Sequence, residues 1–136
     1  MSDFNDQIIA EFRANDGYVE TAGFGDRLVL LHNTGAKSGS ARINPLMGIP
    51  TSDGWLIAAS KGGAPDEPAW AHNLRANPAV TVESGDGEYS ATAVELKGAE
   101  RDAGWAQFLA ASPGFAAYEK KTTRTIAVFS LVRDAA

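Results

Sequence analysis

The chain contains no cysteine and only two histidines, His32 and His72, in 136 residues. The first absence excludes disulfides, thiolate metal sites, iron–sulfur clusters and a cysteine nucleophile. The second leaves any transition-metal site dependent on carboxylates, and none is spaced as a ligand set, so no metal is expected. Positive charge is scarce as well: 12 Lys and Arg against 17 Asp and Glu give a net charge of −5, which argues against a broad nucleic-acid-binding face. No apolar run approaches the roughly 20 residues of a membrane-spanning helix. The stretch MSDFNDQIIAEF carries two early aspartates and no basic region ahead of an apolar one. These absences predict a cytoplasmic protein, neither secreted nor membrane-spanning. Its 44% hydrophobic and 21% charged residues suit one folded domain over residues 1–136. Phosphate-loop and nucleophile-elbow motifs are missing too: no Walker sequence, no Gly-x-Gly-x-x-Gly opening a helix, no Gly-x-Ser-x-Gly.

Against this acidic background, residues 34–64 stand out, because two Gly-rich cationic turns flank two apolar runs there. In TGAKSG, residues 34–39, nearly every residue is a turn former, with glycines free to take positive φ. Ile43, Pro45, Met47 and Ile49 then alternate with Asn44, Leu46 and Gly48, the period of a strand with one face on a core. Pro45 and Pro50 cannot donate to a ladder, so this strand belongs at an edge or breaks near each proline. After the turn TSDG, residues 55–60 run apolar as a buried strand and lead into the second turn, SKGGAP at 60–65. Glycine amides with Lys37, Arg42 and Lys61 would make an anion site if both turns share one end of the sheet; solvated hairpin turns are the plain alternative.

Elsewhere the pattern predicts a first helix within residues 1–17, capped by Ser2 and Asp3 and carrying the stripe Phe4, Ile8, Ile9 and Phe12 as a lid on the sheet. A barrel follows over residues 26–133. Its first strand is 27–32, where His32 reads as a hydrogen-bonded structural residue. A helix opens at Pro68 and stops at Asn77 and Pro78, with Trp70 and Asn73 on one face and its positive end near the second turn. Strands at 80–83 and 88–96 form a hairpin, a helix covers 100–111, a further turn 115–120, and a last strand 125–131. Six strands joined mainly by hairpins, with short flanking helices, make an α+β barrel-like fold and not a doubly wound sheet.

Three ordered motifs, TGAKSGSARINPL at 34–46, AASKGGAPDEPAWAHNLRANPAVTV at 58–82 and TTRTIAVF at 122–129, resemble the deazaflavin (coenzyme F420)-dependent nitroreductase family of split β-barrel flavin and deazaflavin oxidoreductases of actinobacterial type. The likeness runs over residues 28–132. It implies a mainly antiparallel, FMN-binding split-barrel-like fold and a groove for 8-hydroxy-5-deazaflavin, with phosphate and oligoglutamate tail held by cations. By the resemblance, Lys37, Ser38, Gly39 and Arg42 would hold the tail, and Ile43, Asn44, Pro45, Leu46 and Met47 would line the groove. Ala58, Ala59, Ser60 and Lys61 would follow the phosphate and ring edge, and Trp70 and Asn73 would close the site. Ala36 stands where many members have arginine. The late segment with Ser112, Phe115 and Tyr118 is poorer in tyrosine than in members that activate nitroimidazoles. The activity implied is hydride transfer from reduced coenzyme F420 to an electron-poor small molecule, a quinone, enone or nitro compound, with Ser60 and Tyr118 positioning the acceptor. The chain would act as monomer or homodimer. Use of FMN in the same fold, or non-catalytic carriage of a cofactor or fatty acid, are the alternatives.

Overall fold

A computed structural model describes residues 3–21 and 24–134. The cap assigned to Ser2 and the Asp3 side chain lies outside what it describes. Helix α1 (Asp3–Ala14) ends where Gly17, at φ 94°, donates its N–H to Phe12. The strands are β1 (Leu28–Thr34), β2 (Ala41–Met47), β3 (Ile49–Thr51), β4 (Gly54–Ala58), β5 (Ala79–Ser84), β6 (Gly87–Glu95) and β7 (Val128–Arg133). Helix α2 (Ala69–Ala76) joins β4 to β5, while α3 (Gly98–Ala111) and α4 (Gly114–Lys121) lie between β6 and β7. No helix among the described residues is long and apolar enough to cross a membrane.

All pairings are antiparallel in one sheet of order β2-β1-β5-β6-β7-β4-β3. Its outermost strands, β2 and β3, are separated in sequence only by Gly48. Residues so close in the chain cannot stand at opposite margins of a flat sheet, so the sheet curls and brings the ends of its two edge strands together at Gly48 without pairing them. The prolines obey the edge rule: Pro45 is in β2 and Pro50 in β3.

The strand count corrects the sequence reading, which joined β2 and β3 into one strand and arrived at six. Gly48 breaks the run by donating its N–H to Arg27 at 2.8 Å, and a Cβ there would stand 2.9 Å from the Trp55 ring. Nothing in the local alternation marks that change of partner strand.

Alternation explains how the apolar runs are used. On β1, Val29 and Leu31 enter the barrel core with Ile57, Leu74, Val82 and Phe129, whereas Leu28 and Leu30 face α1 through Ile8 and Phe12. On β4 and β7, Leu56 and Val128 meet Trp105, Phe108 and Phe115 of α3 and α4. The stripe on α1 is thus a lid through Ile8, Ile9 and Phe12, while Phe4, the first residue of the predicted stripe, stays about half exposed. The helix is tied down by Arg13, which bonds Glu83 at 2.7 Å, and Glu83 also pairs with His32. The Arg13 guanidinium, followed by His32, holds the Glu83 carboxyl below its ordinary range.

One turn tolerates no side chain. Gly54 takes φ 157°, and a Cβ built on it would lie 1.8 Å from the Leu131 carbonyl oxygen across the β4–β7 ladder. Gly54→Ala therefore costs more than about 3 kcal/mol, a fall in Tm of roughly 10 °C, measurable by thermal denaturation.

Strand directions alternate along the order, so β1, β4 and β6 run the same way. Their C-terminal ends therefore share one end of the barrel. The 34–41 turn and residues 59–61 therefore both leave the sheet at that end.

Candidate functional site

A cleft of about 760 Å³ opens between β2, α1, the start of α2, and α4. One wall is Asn44, Pro45, Leu46 and Met47 of the edge strand; another is Ala58, Ser60 and Lys61 at the end of β4. Pro68 and Trp70 enter from α2, and Ser112, Phe115 and Tyr118 from the α3–α4 region. Proline removes a ladder donor from β2 and keeps this edge uncovered by another strand, which leaves it free to form a wall.

Of the residues selected from sequence, nine line this cleft: Asn44, Pro45, Leu46, Met47, Ala58, Ser60, Lys61, Trp70 and Tyr118. The others stand outside it. Ala59 is fully buried in the core, and Ile43 packs under α1. Lys37, Ser38 and Gly39 form the exposed β1–β2 turn, and Arg42 is exposed at the start of β2. Arg42 shares a face with Asn44 and Leu46, spaced about 7 Å per two residues, so it continues the cleft wall toward the turn. The three cations thus occupy one end of the barrel, with Lys61 alone on the cleft itself.

The glycine turns keep fewer open amides than their composition suggests. Gly35 N–H donates to Ser40, Gly39 N–H to Gly35, and Ala36 N–H to the Asn73 side chain at 2.9 Å. The Ser38 hydroxyl accepts from Ser40 N–H at 3.1 Å. Asn73 is consequently a buried anchor between α2 and the turn, away from the cleft wall. In the second turn, a 3-10 helix at Lys61–Gly63, Gly63 N–H and Ala64 N–H close on Ser60 and Lys61. Lys61 Nζ pairs with Asp66 at 3.0 Å on the surface, and that ammonium lowers the Asp66 pKa. Such an exposed pair is weak and exchangeable, so a bound anion competes with Asp66 for Lys61.

Two arginines hold the site's supports. Arg124 donates to the Ala59, Ser60 and Ala64 carbonyls, each at 3.0 Å, so one guanidinium spans the second turn. Arg75, at the end of α2, bonds Glu67 at 2.7 and 2.8 Å and Glu95 at 2.9 and 3.0 Å, tying the helix that carries Trp70 to β6. These forks raise the Arg75 pKa, while its guanidinium lowers Glu67 and Glu95. Trp70 packs edge-on to Phe129 with centroids 5.8 Å apart. Tyr118 stands edge-on to Phe115 at 5.7 Å, and no hydrogen-bond partner of its hydroxyl is found among the described residues.

Sequence reasoning missed Arg124, although it lies in the third motif, because its partners are 60 or more residues away. It also missed that Phe4, Asn5 and Ile8 of α1, with Phe24 and Arg27, complete the cleft. The apolar stripe was the available signal, but periodicity does not say what else the helix faces. Among the described residues no group of His, Cys, Asp and Glu is placed to hold a metal ion.

The family model described as F420H(2)-dependent quinone reductase matches residues 6–133. An F420H(2)-dependent quinone reductase of Mycobacterium tuberculosis is 37% identical over 109 residues, 77% of this chain and 72% of that protein. A solved F420-H2 dependent reductase is 43% identical with a TM-score of 0.71, covering 77% of this chain and 93% of its own. A second solved structure, described as a domain-swapped dimer, is 38% identical with a TM-score of 0.73 and covers 93% and 96%.

Proposed function

This chain belongs to the F420H(2)-dependent quinone reductase family, and on that premise we propose that it binds reduced coenzyme F420 in the β2–α2–α4 cleft for reduction of a quinone-type acceptor. The make-up of the cleft carries this reading. Pro45, Leu46, Met47, Trp70 and Phe115 supply apolar surface for a flat ring, Ser60, Tyr118 and Asn44 supply polar groups, and Lys61 marks the cationic end. That set fits a ring with a carbonyl edge and an anionic tail. The coenzyme, when bound, supplies the hydride. The protein's own part is to bind, orient and exclude water, so no side chain has to act as nucleophile or base.

Within this proposal the strand wall carries the ring, and Trp70, buried in the core with only an edge on the cleft, backs the opposite side. Lys61, with Arg42 and Lys37 farther along the same barrel end, engages the phosphate and tail. Ser60 and Tyr118 donate to the acceptor carbonyl, and the single tyrosine of the late segment supports a quinone or enone in preference to a nitro compound. The 38%-identical domain-swapped dimer supports a homodimer as the assembly.

Titration of the protein with oxidised coenzyme F420 and with FMN, followed by an acceptor screen, tests the proposal. Tight FMN binding without deazaflavin binding would sink it. Tight deazaflavin binding with no quinone, enone or nitro compound reduced would convert it to a carrier. Tyr118→Phe lowers kcat for a soluble quinone roughly tenfold or more with coenzyme Kd unchanged; full activity in that variant removes Tyr118 from the site's chemistry.

A further inference from the structure

Two asparagines are buried, Asn33 of β1 at 4% and Asn73 of α2 at 8% exposure, the only buried polar side chains among the described residues. A buried amide is costly unless every donor and acceptor is matched, and here they are matched in one direction. Ala36 N–H donates to Asn73 Oδ1 at 2.9 Å, Asn73 Nδ2 to Asn33 Oδ1 at 2.8 Å, and Asn33 Nδ2 to Asn44 Oδ1 at 2.9 Å.

The direction has no freedom to invert. A backbone N–H can only donate, so Asn73 must turn its oxygen to Ala36. Asn33 Nδ2 also donates to the Leu31 carbonyl at 3.2 Å, and a carbonyl can only accept. Each amide is therefore oriented from both sides, and Asn44, the last member, receives a bond on its oxygen. Its Nδ2 is left over. Asn44 is half-buried on the cleft wall, and nothing among the described residues accepts from that nitrogen.

From this we infer that Asn33 and Asn73 are positioning residues that present Asn44 Nδ2 as a fixed donor to a ligand carbonyl in the cleft. The inference rests on the deazaflavin reading of the cleft and deepens it: the carbonyl belongs to the deazaflavin ring or to the quinone. The relay also joins that donor to the first cationic turn through Ala36, so the amide and the tail-binding loop are set by one chain of bonds. An Asn44 left to rotate would offer oxygen as readily as nitrogen and would repel a carbonyl half the time.

The test uses the intact chain and two probes, 8-hydroxy-5-deazaflavin without phosphate or glutamate tail, followed by fluorescence, and a soluble naphthoquinone, followed by KM. Asn44→Leu raises Kd for the ring, or KM for the quinone, by roughly tenfold, and whichever constant moves identifies the recipient. Asn33→Leu, which removes the donor to Asn44, moves the same constant by a similar factor. The double variant adds no more than about twofold beyond either single one, as residues acting in one network do. A purely structural Asn33 would lower Tm and leave that constant alone, or add its effect in full. Should Asn33→Leu fail to fold, Asn44→Leu decides: unchanged Kd and unchanged KM overturn the inference. Wild-type protein that binds no deazaflavin overturns the parent reading along with it.

Discussion

Reversing Lys37, Arg42 and Lys61 together to glutamate weakens binding of complete coenzyme F420 by about a thousandfold or more and changes binding of the tail-free deazaflavin by less than about threefold. A charge-assisted hydrogen bond contributes about 1.5–3 kcal/mol, and each 1.4 kcal/mol is a factor of ten, so three such contacts dominate the affinity of a polyanion. The topology puts all three cations at one barrel end, and an otherwise acidic chain gains from concentrating them. Single reversals are graded by distance from the cleft, Lys61→Glu having the largest effect because Lys61 lines it. The tail-dependent part of the affinity falls steeply with salt. Equal losses for both probes would mean that the cations support the fold and do not grip the tail.

The second large effect belongs to Arg124. Arg124→Ala removes donors from three carbonyls of the loop that carries Ser60 and Lys61. Those oxygens are left to find water or to shift, and the loop loses the tie that holds it to the segment before β7. Coenzyme affinity drops at least about tenfold, the protein loses about 2–3 kcal/mol of stability, and amide exchange at Gly63 and Ala64 accelerates by the factor equivalent to that loss. Arg124→Lys recovers little, because an ammonium lacks the planar fork that reaches three carbonyls. Wild-type exchange at those amides in the alanine variant would show that the loop holds itself.

Legibility followed the range of the interaction. The β1–β2 turn, the β5–β6 hairpin, the end of α2 at Asn77 and Pro78 and the lid stripe of α1 depend on residues within one or two turns of each other. The prolines went further and put the stretch that holds Pro45 and Pro50 at an edge or broke it near each proline, and both β2 and β3 are edge strands. Gly48 was not readable as a strand break, because its role comes from Arg27, just ahead of β1, and from Trp55 of β4. In the site, the 44–47 wall and Ser60 and Lys61 were identified together with Ala59, Ile43 and Asn73, which the fold sends to the core, to the underside of α1 and to a buried amide chain. Residue type alone does not separate a groove-lining alanine from a core one.

By itself the sequence determined where the chain turns, which faces are apolar, that acidic residues outnumber basic ones, and which family the chain joins. Steric limits on glycine and proline and the periods of helix and strand act locally, and letters record them directly. The tertiary structure alone decided that the sheet curls around a break at Gly48, that α1 forms a wall of the cleft, that Arg124 holds the second turn and that two buried asparagines aim a third. Each of these depends on pairings between residues far apart in the chain, and a donor acquires its acceptor only when the barrel brings them within 3 Å.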